Sequence, residues 1–160
     1  MGRVPGFPAG GNGVFAGDGM RDVDPIRVRD LLGGIADALR RLRELGLQSE
    51  DEFLADFRNT ESAKYLLIVA AEAAIDICNH IVARRSGRAP EDYADCFAVL
   101  VDLKVIAPEL AERLQRMARF RNLLVHLYWR VDNRRVYEVI RDDLGDLDDF
   151  REEVLQALGF

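Results

Sequence analysis

The residues best suited to chemistry lie together in Arg119-Phe120-Arg121-Asn122-Leu123-Leu124-Val125-His126-Leu127-Tyr128-Trp129-Arg130. A guanidinium can grip a phosphate and stabilise charge gathering on its oxygens. A neutral imidazole can take the proton of a ribose 2′-hydroxyl, or return one to a departing 5′-oxygen, near pH 7. Arg121 and His126 supply one of each, and Asn122 can orient the imidazole or donate to the phosphate. That is the chemistry of RNA cleavage without a metal, with a 2′,3′-cyclic phosphate and a 5′-hydroxyl as products. A plainer reading stands beside it, in which His126 packs on a half-polar helix and Arg121 with Tyr128 covers a surface.

Read as one helix at about 100° per residue, the stretch puts Leu123, Leu124 and Leu127 on an arc facing a core. Arg121 and Tyr128 nearly superimpose, while Asn122, His126 and Trp129 share the adjacent face. Arg121 and His126 then point about 140° apart. They meet at one spot if the Arg side chain sweeps round or the helix deforms. A symmetric dimer offers another solution by gathering two Arg and two His around one cleft, with Val125 and Trp129 in apolar contact.

Two further groups of residues flank this one. Glu72, Asp76 and His80, at i, i+4 and i+8, could offer carboxylate and imidazole ligands to a metal. The expected use is instead an inward polar network, together with Asn79, that orients Arg121 or His126, and no metal is assigned. Residues 110–141 carry a local charge of +5, and Arg113, Arg116, Arg119, Arg130, Arg134 and Arg135 form a candidate phosphate-tracking patch. Residues 142–160 carry −6 and read as a solvated face or as a surface for a protein partner. The net charge of −6 argues against a bulk-charge nucleic-acid binder, but this uneven distribution removes the objection.

The elements that must position these groups are helical throughout. Asp24-Pro25 opens a helix that Gly46 closes, and Ile26, Leu31, Leu32, Ile35, Leu39 and Leu42 recur within it at helical spacing. Ser49 and Glu52 form a capping box ahead of a short helix through Phe57. A long helix is predicted from about Glu61 to Arg84, with Ala63, Leu66, Leu67, Ala70, Ala74, Ile77 and Ile81 on one stripe, ending at Gly87. Pro90 and Pro108 each start another helix, and a last helical region from Asn133 breaks at Gly145. The fold class is all-α: a compact bundle of four long helices plus a short one.

The 160 residues fit one domain, and 49% apolar content excludes a disordered chain. Residues 1–19 hold seven of the 13 glycines and read as a disordered extension, with Met20 as the likelier beginning of a folded unit over 20–160. Cys78 and Cys96 read as small buried hydrophobes in a reducing, cytoplasmic setting, not as a disulfide framework. No uninterrupted apolar run approaches the ~20 residues that span a bilayer, so no membrane partner is expected. Arginine outnumbers lysine 20 to 2; this suits bidentate phosphate contacts but is as readily genomic bias.

Arg121-Asn122-x-x-x-His126-x-Tyr128 resembles the R-x4-H-x-Y motif of the HepT-like toxins, a branch of the HEPN ribonuclease superfamily. Ala70–His80, Pro108–Ala111, Met117–Phe120 and Tyr128–Asp132 are similar to the family's long helix and to the approach and exit of its motif. The resemblance covers about residues 21–158 and implies a HEPN-type bundle with metal-independent endoribonuclease activity and no cofactor. It implies Arg121 and His126 as the catalytic pair with Asn122 in support, acting on an RNA such as tRNA or mRNA in a homodimer or higher even oligomer. It also implies a cognate minimal nucleotidyltransferase antitoxin that silences the nuclease by placing AMP on Tyr128, where phosphate would compete with RNA for Arg121. A non-catalytic HEPN module binding a nucleotide or such a partner is the alternative.

Overall fold

The structure, a computed structural model, describes residues 23–85 and 88–160. The expectations for residues 1–19, for Met20 and for Gly87 lie outside these residues. The described residues are helical, with no strands. In order they form α1 (Pro25–Leu45), α2 (Glu50–Ala55), α3 (Phe57–Arg85), α4 (Tyr93–Asp102) and α5 (Pro108–His126). A 3-10 turn (Tyr128–Arg130), α6 (Asn133–Asp142) and α7 (Gly145–Leu158) follow.

Local signals set most of these bounds. The Asp24 carboxylate accepts from the backbone N–H groups of Ile26 and Arg27, and Ser49 Oγ accepts from that of Glu52 at 3.2 Å. The short helix nevertheless stops at Ala55, and Phe57 belongs to α3, which starts earlier than Glu61. Asp56 makes the break: its backbone is extended and its carboxylate accepts from the Arg58 N–H at 2.9 Å. Likewise α4 begins at Tyr93, not at Pro90, because Asp92 caps it through the Asp95 N–H at 2.7 Å. Arg88 forks onto Asp95 and pulls its carboxyl down to about 2. The region from Asn133 divides ahead of Gly145 into α6 and α7, and α7 ends on Gly159, the left-handed residue (φ 72°) that glycine best tolerates.

The central element is α3, which packs against all six other helices. Of its predicted stripe, Ala63, Leu67, Ala70, Ala74, Ile77 and Ile81 are buried and Leu66 is half-buried, and Ala71, Ile75 and Val82 beside it are buried as well. By length and apolarity α3 alone could cross a bilayer. Burial on several sides within the bundle accounts for that composition. Cys78 on α3 and Cys96 on α4 are both fully buried, as expected, but they are joined as a disulfide. The crossing of α3 and α4 brings their Cα atoms to 6.2 Å, within disulfide reach, so the reading as two separate thiols is corrected.

The acidic C-terminal segment is largely used inside the chain. Asp146 and Asp149 on α7 hold Arg113 of α5 at 2.8 and 3.2 Å, and Asp148 pairs with Arg43 of α1. Glu153 accepts the Ala107 N–H at 2.8 Å, at the start of α5. These contacts fix α7 against α1 and α5 around the Phe97–Phe150 edge-to-face pair.

His80, on α3, ties that helix to the start of α1: its Nε2 accepts the Asp24 N–H at 3.0 Å. Burial, with Arg27 and Arg84 nearby, holds its pKa below the usual histidine value. The neutral imidazole is therefore the folded form, and the unfolded chain binds the proton more readily. Stability from this group is present above pH ~6.5 and is lost as pH falls below it. Between pH 7.5 and 5.5 the urea midpoint of the wild-type chain should fall further than that of His80→Gln. Equal drops in the two proteins would refute this linkage.

Candidate functional site

The buried face of α5 runs through Leu110, Ala111, Leu114, Ala118 and Leu124. On a helical wheel at about 100° per residue, Arg121 falls at the middle of that face. A guanidinium thus occupies a core-directed position, and its side chain is only 13% exposed. Polar partners from three elements meet it. Its two terminal nitrogens donate to Glu72 of α3 at 2.7 Å and to Asn122 Oδ1 at 3.1 Å. Its Cζ lies 5.2 Å from the centre of the Tyr93 ring on α4. Its Nε is buried and has no hydrogen-bond partner.

This arrangement sorts the expected site residues. Glu72, Asp76, Asn79 and Tyr93 line a small cavity of about 140 Å³ with Arg121. Glu72, Asp76 and Asn79 therefore stand where a network around Arg121 requires them. His80 does not, since it faces α1. Among the described residues no three His, Cys, Asp or Glu side chains group to hold a metal, so the Glu72, Asp76 and His80 stripe is not a ligand set. Asn122 braces Arg121 instead of the imidazole. Tyr93 is the residue the sequence reading missed at this spot; its signal was an aromatic just after the Asp92 cap, facing α3.

His126 is exposed in the last turn of α5, which keeps helical geometry up to that residue. The angle of about 140° between Arg121 and His126 is therefore retained. The stretch is not one helix, however. Leu127 leaves helical geometry at φ −130° and ψ 40°, and Tyr128 sits in the 3-10 turn. Tyr128 consequently does not stack above Arg121 as continuous helix geometry required. Leu123 also departs from expectation: it is 46% exposed, because the core arc is centred on Arg121 and Leu124.

The Tyr128 ring rests on a cation. Lys64 of α3 is 5% exposed, and its Nζ lies 4.3 Å from the centre of that ring, with Glu61 at 3.9 Å as its carboxylate partner. Desolvated cation–π contacts of this kind contribute about 2 kcal/mol. Sequence reading passed over Lys64, although a lysine on the core stripe of an arginine-dominated chain was the available signal.

Of the expected basic patch, Arg116, Arg119 and Arg130 are exposed. Arg134 lies 3.6 Å from Glu50 and Arg135 3.3 Å from Glu138, loose surface pairs that leave both guanidinium groups in solvent. Arg113 is withdrawn from the patch by Asp146 and Asp149.

The sequence is 29% identical over 125 residues to the tRNA nuclease HepT of Aphanizomenon flos-aquae, covering 76% of this chain and 82% of that protein. It is 31% identical over 99 residues to the mRNA nuclease HepT of Shewanella oneidensis, covering 62% and 74%. Among solved structures, the tri-AMPylated Shewanella oneidensis HEPN toxin in complex with its MNT antitoxin superimposes with a TM-score of 0.75 at 25% identity, over 81% of this chain and 97% of that one. The YutE protein of Bacillus subtilis shares the fold at a TM-score of 0.74 and 22% identity, over 86% and 92%. The sequence model described as Ribonuclease HepT-like matches residues 35–154, and the chain belongs to that ribonuclease family.

Proposed function

We propose that this chain is a metal-independent endoribonuclease toxin whose active site is completed by a second copy of itself and silenced by AMP on Tyr128. The observation that carries the reading is the placement of Arg121 and His126. One is drawn into the core face of α5 with a free Nε, and the other is exposed about 140° round the same helix. One chain cannot aim both at one phosphate. Two chains related by a two-fold axis can, each giving a cation to the phosphate and an imidazole to the proton transfers. Exposed apolar side chains beside His126 suit that pairing: Leu123, Val125 and Trp129, the last 78% exposed.

In the reaction, neutral His126 takes the proton of a ribose 2′-hydroxyl and the 2′-oxygen attacks phosphorus. The bond to the 5′-oxygen breaks, and the second copy's His126 in its protonated form gives that oxygen a proton. Arg121, held by Glu72 and Asn122, stabilises charge on the non-bridging oxygens. Expected products are a 2′,3′-cyclic phosphate and a 5′-hydroxyl. His126→Ala lies on the surface and should keep the fold while slowing cleavage of a single-stranded RNA by about 10²–10⁴-fold. Wild-type cleavage should continue unchanged in EDTA. Full activity in the alanine variant would refute the catalytic role, and loss of activity in EDTA would refute metal independence.

Silencing is assigned to a cognate nucleotidyltransferase antitoxin, since the HEPN toxin of Shewanella oneidensis that this chain resembles is AMPylated and bound to an MNT antitoxin. Tyr128 stands two residues beyond His126, its ring seated on Lys64 and its 3-10 turn at the surface end of α5. Transfer joins the phenol oxygen to the α-phosphorus of ATP, releases pyrophosphate and leaves a phosphodiester anion beside the catalytic helix. With the antitoxin and ATP, mass spectrometry should find AMP on the wild-type chain and none on Tyr128→Phe. AMP on the phenylalanine variant would place the acceptor elsewhere.

A further inference from the structure

A second cavity that Arg121 also lines opens between α3, α5, α6 and the start of α7. It holds about 170 Å³. Cavities of about 150 Å³ with apolar walls accept a single aromatic ring such as benzene. Leu67, Phe120, Leu124 and Val139 line its walls, and Arg116, Arg121, Arg135 and Asp143 contribute charged groups. Fully apolar holes stay dry and need no ligand, but this one pairs an apolar interior with guanidinium groups and a carboxylate. That combination matches a nucleotide: a ring for the apolar walls, a phosphate for the arginines.

We infer that this cavity is a nucleobase subsite, which receives one base of the RNA strand next to the phosphate held by Arg121. The inference rests on the RNA-cleavage reading and adds to it a position where the substrate is recognised. Arg121 lines both cavities, so a nucleotide whose base enters here sets its phosphate at the guanidinium that performs the chemistry. The Nε of Arg121 is buried and unpartnered among the described residues, so the guanidinium keeps a donor that a small shift of the side chain would offer to that phosphate. Arg116 and Arg135 stand at the same opening to hold the next phosphate along the strand.

The subsite also discriminates between bases. Arg113 is occupied by Asp146 and Asp149, which leaves Asp143 as the carboxylate facing the cavity without a hydrogen-bond partner among the described residues. A carboxylate accepts from an exocyclic amino group, whereas the one ring-edge donor of uracil, N3–H, is flanked by two carbonyl oxygens that a carboxylate repels. Adenine, cytosine and guanine carry such a group and uracil does not. Partial desolvation holds the Asp143 carboxyl above the usual carboxylate range, as expected for an acceptor facing an apolar hollow.

The test uses the full chain and the 3′-monophosphates of adenosine, cytidine, guanosine and uridine, with ribose phosphate as the base-free control, followed by NMR titration. The three amino-bearing nucleotides should bind about tenfold or more tighter than ribose phosphate, with uridine monophosphate clearly weaker than cytidine monophosphate. Val139→Trp fills the cavity and should remove the advantage of the base while leaving ribose phosphate binding unchanged. Asp143→Asn, at the exposed mouth, should bring uridine and cytidine monophosphates to equal affinity, and it decides the matter if Val139→Trp does not fold. Ribose phosphate binding as tightly as the nucleotides overturns the subsite, as does base-dependent binding that survives in Val139→Trp or discrimination that survives in Asp143→Asn. If such base-blind binding accompanies normal RNA cleavage, the subsite fails and the nuclease stands. If the wild-type chain cleaves no RNA, the nuclease reading fails and the substrate assigned here fails with it.

Discussion

A helix that touches all six others in its bundle has to meet each polar group that it turns inward with a partner, while Glu72, Asp76 and Asn79 keep one side exposed. That constraint generates the site. Thr60 turns its hydroxyl back to the Phe57 carbonyl at 3.0 Å, a purely local solution. Lys64 lies beneath the Tyr128 ring, Glu72 takes the Arg121 guanidinium, and Asp76 with Asn79 lines the hollow beside it. His80 accepts the first amide of the neighbouring helix. Successive polar residues on one helix thus reach the motif tyrosine, the motif arginine and the entry of α1, so these parts share one rigid element.

From α5 the same constraint acts in the opposite direction. Arg121 takes a place that its helix otherwise gives to leucine and alanine, and the desolvation this imposes is offset only because Glu72, Asn122 and Tyr93 converge on it. Arginine meets these partners through a planar, pre-organised fork of donors, where lysine would offer a compact ammonium on a flexible stem. A guanidinium fixed in this way needs little rearrangement when a phosphate arrives, which is the condition for stabilising charge in a transition state. The cost is competition, because Glu72 already occupies one edge and the substrate has to share or displace it. The Nε is buried and has no partner among the described residues, so a phosphate reaches it only if the side chain or Glu72 shifts.

Most periodic residues were legible in the sequence: Leu32, Ile35, Leu39 and Leu42 of the α1 stripe, most of the α3 stripe, the Asp24 and Ser49 caps and the Pro108 start stand where helical spacing and capping chemistry put them, whereas Ile26 in the first turn of α1 is 70% exposed. What escaped the sequence was tertiary. Asp56 and Asp92 moved two helix starts because a local carboxylate–amide bond sets each boundary, at Asp92 outweighing the Pro90 signal. The motif read as one helix because nothing in Leu127-Tyr128-Trp129 breaks a helix by composition; the turn there follows from seating Tyr128 over Lys64. Leu123 looked like core because leucine was weighed by type, whereas the arc centred on Arg121 leaves it outside. The Cys78–Cys96 bond depends on how α4 crosses α3, which spacing along the chain does not encode.

Charge distribution links the fold to the proposed reaction. The acids of α7 are spent on Arg43, Arg113 and the Ala107 amide, so the −6 segment acts as internal fastening more than as a free acidic face. Arg116, Arg119, Arg130, Arg134 and Arg135 keep solvent-facing guanidinium groups along α5, the 3-10 turn and the first turn of α6. An RNA strand drawn to those cations is drawn to both sides of Arg121. A phosphodiester on Tyr128 would sit in the same field with Lys64 directly beneath its ring, and a tethered anion competes at a high effective concentration. The surface that attracts the substrate would then also hold the inhibitor, so blocking the nuclease needs no change in the fold of the bundle.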